Sequence, residues 1–291
     1  MDLKSELQSS LEAGIINGSL IAKLKRREIA QTLETLHPNS PYLVTVLVGD
    51  DPASQIYVSY KEKACNEIGI RNTVYRLEAD ITQMELDKKI MDLNNDDDVN
   101  GILLQLPLPK HLDAKTTMNK IHPDKDVDGL TYISVGKLHS GLDGFVPCTP
   151  AGVMVLFEFA KVDLTGKLVV MIGRSNLVGK PLARLLEQKN ATVTLCHSRT
   201  RDIKKITNQA DIVISAIGKA KFVTEDMIAE NSIVIDVGTN RVDKKLYGDV
   251  DFENVSKKAS LITPVPGGVG PMTITMLLYN TVKAYQLQNK I

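Results

Sequence analysis

Apolar residues near the start of the chain keep one spacing and then change to another. From Ser19 to Leu36 they recur at helical steps through Leu20, Leu24, Ile29, Leu33 and Leu36. Tyr42 to Val48 (YLVTVLV) is instead an almost unbroken apolar run, the pattern of a strand covered on both faces. Asp51-Pro52 then has the form of a helix start, an acceptor at the N-cap followed by proline at the first helical position. Thr73 to Leu77 predicts a second strand, Gln83 to Asn94 a helix and Ile102 to Leu106 (ILLQL) a third strand. Pro107 to Pro150 is rich in Pro, Gly, Asp and His, with weak periodicity, and is expected to hold the domain connection and line a cleft. Strands follow at Leu168 to Ile172, Thr192 to Cys196, Ile212 to Ile217 and Ile233 to Val237, with a last helix over Pro271 to Gln288. Strands alternating with helices define an α/β protein with parallel sheets.

Length and composition narrow this picture. At 291 residues, two domains are expected. Thirty-five basic residues balance thirty-five acidic ones, which argues against a nucleic-acid or membrane-surface partner. Cys65, Cys148 and Cys196 are widely spaced and fit thiols kept reduced. The N-terminus lacks the apolar stretch of a secretory signal and no run is long enough to span a bilayer, so a cytoplasmic protein is expected. His37, His111, His122, His139 and His197 are scattered without ligand spacing, and no metal is expected.

One stripe of the helix after Asp51 raises a question. Ser54, Tyr57, Lys61, Ala64 and Ile68 fall on one face, placing an ammonium among residues suited to burial. On spacing alone, Lys61 is a surface lysine whose stem covers its apolar neighbours. Gln105, inside an apolar strand, demands a polar partner for its amide.

In the second half, LVVMI is followed by GRSNLVGKPLARLLEQKN: strand, turn, helix. Gly173 suits a tight turn and Gly179 a close approach at the helix start, as in a dinucleotide site, although Ser175 stands where the usual fingerprint has its middle glycine. The next strand ends in CHSRT, where an NAD site would place a carboxylate. Ser198 and Arg199, with Arg174 in the preceding turn, suit a 2′-phosphate and point to NADP; the alternative is solvated surface charge. Gly218, Gly238 and Thr239 end two further strands on the same expected edge, and either glycine alone could simply terminate its strand.

Taken together, VGDDPASQIYVSYKEKACNEIGI, GILLQLPLP, PDKDVDGL, VPCTPAG, GRSNLVGKP and TPVPGGVGPMT closely resemble the methylenetetrahydrofolate dehydrogenase/cyclohydrolase family, over blocks from about Val48 to about Thr273. The resemblance implies NADP-dependent oxidation of 5,10-methylenetetrahydrofolate to the methenyl compound and its hydrolysis to 10-formyltetrahydrofolate. It implies a folate-binding catalytic domain over 1–145 plus 272–291, a Rossmann-like NADP-binding domain over 146–271, a cleft between them and a homodimer. By the same resemblance Lys61 is the catalytic lysine, Gln105 its hydrogen-bonding partner, Tyr57 the ring against the folate and Asp128 the acceptor for the pterin N–H edge. Asp126 is expected to be structural, and Ser54 is a weaker candidate. Pro266, Gly267 and Gly268 are implied to border the folate and the nicotinamide. A dehydrogenase without useful hydrolysis and a nucleotide-binding module without turnover are the competing readings.

Overall fold

The computed structural model describes residues 2–36, 40–243 and 245–291. His37 therefore lies outside the described residues. The chain forms two compact units, Met1–Leu24 with Thr149–Thr273, and Lys25–Cys148 with Ile274–Ile291.

The unit of residues 25–148 and 274–291 is built on three parallel strands, β1 (Tyr42–Val48), β2 (Arg71–Leu77) and β3 (Gly101–Leu104), in the order β2-β1-β3. Val44, Val46, Val48, Ile102 and Leu104 pack with Leu86, Ile90 and Leu93 in its core. The helix Pro52–Ile68 starts as its sequence dictates. Asp51 accepts from Ser54 N at 2.8 Å, Pro52 opens the first turn, and Gly69 ends the helix in the left-handed region at φ 85°. The helix Gln83–Asn94 has a reciprocal cap between Thr82 and Glu85. At its other end the buried Lys125 ammonium donates to the carbonyls of Leu93, Asn94 and Asp96 at 3.2, 2.9 and 2.7 Å.

The stretch after Pro107 is more regular than its composition suggests. It contains helices at Ala114–Met118 and Tyr132–Ser140, each N-capped by the side chain of the preceding Asp113 or Thr131. Short helices closed by caps leave little apolar periodicity to detect.

The other unit carries a five-stranded parallel sheet: β4 (Leu168–Ile172), β5 (Thr192–Cys196), β6 (Ile212–Ser215), β7 (Ile233–Asp236) and, beyond a small antiparallel hairpin of β8 (Asn240–Val242) and β9 (Lys245–Tyr247), β10 (Leu261–Ile262). The order is β10-β7-β6-β4-β5, so the winding reverses between β4 and β6. Val170, Ile172, Val213, Val234 and Ile262 form the centre of its core.

The first 24 residues cluster with this sheet for an identifiable reason. Ile16 N donates to Ile262 O and Ile262 N donates to Gly14 O, both at 2.9 Å, so residues 14–16 extend the β10 edge. Ser19 N then donates to Gly267 O at 2.9 Å, and a Cβ on Gly18 would lie 1.8 Å from Gly268 O.

Candidate active site

In the three-stranded unit the winding reverses at β1, so a crevice opens at the strand C-termini between β1 and β3. Gln105 stands there, one residue beyond β3, with its N–H still bonded to Val46 O at 2.9 Å. Its side chain is buried, and both of its polar atoms are bonded. Oε1 accepts from Lys61 Nζ at 2.8 Å, and Nε2 donates to Leu106 O at 2.6 Å. The partner that an amide in an apolar strand requires is thus the lysine of the helix Pro52–Ile68.

That helix buries Ser54, Val58, Ala64 and Cys65, while Lys61 is half-buried and Tyr57 remains 44% exposed. Lys61 therefore lies on the buried Ser54–Val58–Cys65 stripe with its amine at the margin, and Tyr57 stands beside that stripe, more open to solvent. Burial lowers the Lys61 ammonium from its ordinary range, and the Asp128 carboxylate opposes that shift. Burial pushes the Asp128 carboxyl upward, which the Lys61 charge counters. A desolvated amine and a desolvated acid therefore face one another's fields.

Asp128 is held by its neighbours in sequence. Asp126 is fully buried and accepts from Leu130 N, Thr131 N and Ser134 Oγ at 3.2, 2.9 and 2.6 Å, which closes the turn around Asp128. Asn280 Nδ2, from the last helix Val269–Asn289, donates to Val127 O at 2.8 Å and Val146 O at 3.1 Å. The Cys148 thiol donates to Val127 O at 3.4 Å, and burial holds it well above the usual thiol range. Nothing in the apolar pattern singled out Asn280 or Cys148; a polar residue within the apolar run MLLYNTV was the available signal.

In the five-stranded unit, Gly173 follows β4 at φ 119°, and a Cβ there would meet Ala216 O, beyond β6, at 2.5 Å. The turn after β4 thus presses on the turn after β6, at the reversal of the sheet. Gly179 opens the next helix, Gly179–Gln188, and its Cβ would lie 2.3 Å from Gly173 O. Ser175 Oγ accepts from Val178 N at 3.1 Å and Gly179 N at 3.4 Å, a local cap on that helix. Arg174 is exposed in the turn. After β5, the turn 197–200 is closed by Thr200 N donating to His197 O at 2.8 Å, which leaves Ser198 and Arg199 exposed at its tip. No carboxylate occupies positions 197–201, the place where an NAD-selective site would carry one. This edge fits a dinucleotide with a phosphorylated ribose.

Gly218 (φ 65°) and Thr239 are exposed at the ends of β6 and β7, while Gly238 is buried against Asp249. The loop Thr263–Gly268 leaves β10 with Pro266 exposed, Gly267 half-buried at φ 100° and Gly268 packed on Pro264 O. His111, His122, His139 and His197 are each engaged with nearby backbone. Among the described residues no group of three His, Cys, Asp or Glu side chains converges as a metal site. No helix of the described residues is long and apolar enough to cross a membrane.

Two parallel α/β units, one with a dinucleotide crevice and one with a lysine–amide pair at its own reversal point, define a nucleotide-dependent enzyme of the two-unit α/β class. Comparison with known sequences makes this specific. The chain belongs to the tetrahydrofolate dehydrogenase/cyclohydrolase family: residues 16–128 match its catalytic domain and residues 147–289 its NAD(P)-binding domain. It is 53% identical over 273 residues to the "Bifunctional protein FolD" of Campylobacter hominis, covering 93% of this chain and 96% of that protein. The crystal structure of the bifunctional FolD methylenetetrahydrofolate dehydrogenase/cyclohydrolase of Campylobacter jejuni superposes with a TM-score of 0.93 at 49% identity, covering 95% of this chain and 99% of that one. The Trypanosoma brucei methylenetetrahydrofolate dehydrogenase-cyclohydrolase, complexed with NADP and an inhibitor, gives 0.91 at 39% identity, over 95% of this chain and 98% of that one. The chain thus carries both domains of a dehydrogenase and cyclohydrolase of one-carbon metabolism.

Proposed function

We propose that this protein oxidises 5,10-methylenetetrahydrofolate with NADP and hydrolyses the resulting methenyl compound to 10-formyltetrahydrofolate, with Lys61 as the acid-base group of the hydrolysis. The observation that carries this reading is the Lys61 Nζ–Gln105 Oε1 contact of 2.8 Å at the mouth of the β1–β3 crevice. Because Gln105 Nε2 is committed to Leu106 O, the amide presents its oxygen to the amine and fixes where Lys61 points. A lysine whose ammonium is disfavoured by burial has a larger neutral fraction near neutral pH and can take a proton from water. That water adds to the electrophilic amidinium carbon; as the carbon–N5 bond breaks, Lys61 returns the proton to the ring nitrogen, and the carbinol hydroxyl loses its own proton to solvent as the formyl C=O forms. The formyl group remains on N10.

Asp128 accepts the N–H edge of the pterin, giving register, and the exposed ring of Tyr57 supports the bicycle. For the oxidation the nicotinamide, when bound, supplies the hydride acceptor. The chain's own part is to hold the methylene carbon in place, with Pro266, Gly267 and Gly268 bordering both molecules. Gly173, Arg174, Ser175, Gly179, Ser198, Arg199, Gly218, Gly238 and Thr239 form the NADP site. The exposed Arg174, Ser198 and Arg199, with no carboxylate among them, support NADP over NAD. On this reading the folate-binding domain comprises 1–145 plus 272–291, although residues 1–24 cluster with the five-stranded sheet, the nucleotide domain comprises 146–271, and the protein works as a cytoplasmic homodimer.

The test uses purified protein with methylenetetrahydrofolate and NADP or NAD, then with methenyltetrahydrofolate alone. Both reactions are expected, with NADP preferred. Lys61→Met is expected to slow methenyl decay by about 10²–10⁴-fold while NADP affinity stays within about twofold. Hydrolysis at the parent rate in that variant would remove Lys61 from the role.

A further inference from the structure

Two aspartates in the five-stranded unit are buried at the C-terminal edge of its sheet and take no part in the chemistry above. Asp249 is completely buried and receives five hydrogen bonds. Oδ2 accepts from Ser215 Oγ at 3.1 Å, Ile217 N at 2.7 Å and Gly218 N at 3.3 Å; Oδ1 accepts from Lys219 N at 2.8 Å and Asn240 Nδ2 at 3.0 Å. Three consecutive backbone N–H groups after β6 therefore point at one carboxylate. Such a run is the arrangement that elsewhere cradles a bound anion. Here the protein fills it with its own side chain, so the loop is shaped before any ligand arrives.

Asp236, the last residue of β7, fixes the backbone from which Asp249 reaches. Its Oδ1 accepts from Gly238 N at 3.0 Å and Asp249 N at 2.9 Å, and its Oδ2 from Val250 N at 2.9 Å. The space for the pair exists only because two neighbours lack side chains. A Cβ on Gly238 would lie 2.1 Å from Asp249 Cγ, and one on Gly248 would lie 1.8 Å from Asp236 Oδ2. Asn240, the first residue of the hairpin, joins the same carboxylate. One side chain thus ties the loop after β6, which contains Gly218, to the base of the hairpin. Gly238, in the loop after β7 with Thr239, packs closely against it and donates its N–H to Asp236.

We propose that Asp249 is a positioning residue for NADP, its carboxylate holding the loop after β6 against the hairpin base and Gly238 in the arrangement that receives the nucleotide. This rests on the reading of that edge as the NADP site. Gly238 then serves the site by admitting the Asp249 carboxylate.

The test compares parent, Asp249→Asn and Ser215→Ala. Asn keeps the size of the side chain but sets an NH2 group against donors. NADP affinity is measured by titration without folate, amide hydrogen exchange at 217–219 on the ligand-free protein, and methenyl hydrolysis without nucleotide. In Asp249→Asn, NADP binding is expected to weaken by about tenfold or more and exchange at 217–219 to quicken by a similar factor, since hydrogen bonds to a charged group are lost. Hydrolysis is expected to stay within about twofold, which separates lost positioning from general damage. Ser215→Ala, which removes one donor, is expected to move both readouts in the same direction by about two- to fivefold, and it decides the matter if Asp249→Asn does not fold. Parent-like NADP affinity or parent-like exchange in the deciding variant overturns the proposal. A parent that binds no NADP overturns the nucleotide reading itself, an outcome distinct from a variant that matches a binding-competent parent.

Discussion

Asp236 shows how a single buried group carries a pH dependence that its hydrogen bonds alone would not suggest. Its carboxyl is pushed up to about 7 by burial; the N–H donors of Val250, Asp249 and Gly238 oppose that push and the Asp249 charge adds to it. In the unfolded chain the same group ionises in the ordinary range near 3.8. Between those values the native state binds more protons than the unfolded state. The group's contribution to stability is therefore present at acid pH and lost as pH rises through about 7. Urea unfolding of parent and Asp236→Asn at about pH 5.5 and about pH 7.5 isolates it, because other titrating groups are common to both proteins. The parent's advantage over the variant is expected to shrink by ~2 kcal/mol across that interval. An advantage that stays constant or grows toward alkaline pH would show the N–H donors outweighing burial. Neither buried aspartate was legible in the sequence, where IVIDV and YGDVD carry no spacing that distinguishes an inward carboxylate from a solvated one. The need of Gln105 for a polar partner was legible, because an amide in an apolar strand conflicts with its surroundings; for Lys61 the spacing favoured a surface lysine, and only the family resemblance paired it with Gln105.

Elements whose start and stop are set locally followed their sequence closely. The helix after Asp51 begins at Pro52 and the strand YLVTVLV spans Tyr42–Val48, because a cap and an apolar run act over a few residues. β3 is shorter at its C-terminus than the apolar run ILLQL, ending at Leu104, with the Gln105 N–H still bonded to Val46 O and its side chain to Lys61. Less legible are elements held from a distance. The helix Gln83–Asn94 ends beneath Lys125, some thirty residues further along, whose ammonium caps three carbonyls and whose own ammonium form is disfavoured by burial. Lys125→Met keeps much of the stem volume and removes all three donors. It is expected to destabilise the protein by about 1.5–3 kcal/mol, the range for hydrogen bonds to a charged group. Denaturant midpoints of parent and variant at equal slope measure this. A shift below about 0.5 kcal/mol would mean that water replaces the ammonium without penalty.

At the scale of the molecule, the alternation of strands and helices revealed two α/β units, but it did not reveal the company kept by the first 24 residues. Apolar periodicity reports which face of an element is buried and not which sheet receives it. The assignment is made instead by backbone hydrogen bonds between residues about 246 apart, Ile16 N to Ile262 O and Ile262 N to Gly14 O. Because β10 is only two residues long and lies at the sheet edge, this pairing supplies the partner that its outer side would otherwise lack. The same segment continues into Gly18 and Ser19, against which the loop carrying Gly267 and Gly268 is seated. A chain lacking residues 2–17 keeps the β1–β3 sheet and its core intact in this account, while Ile262 loses the acceptor for its N–H. Hydrogen exchange on the ligand-free shortened protein is expected to show the Ile262 amide exchanging at least about tenfold faster and the β1 amides Val44 to Leu47 unchanged. Equal protection of Ile262 in both proteins would mean that the edge of the five-stranded sheet stands without the N-terminal segment. Loss of protection throughout β1 as well would mean that residues 2–17 support both sheets together.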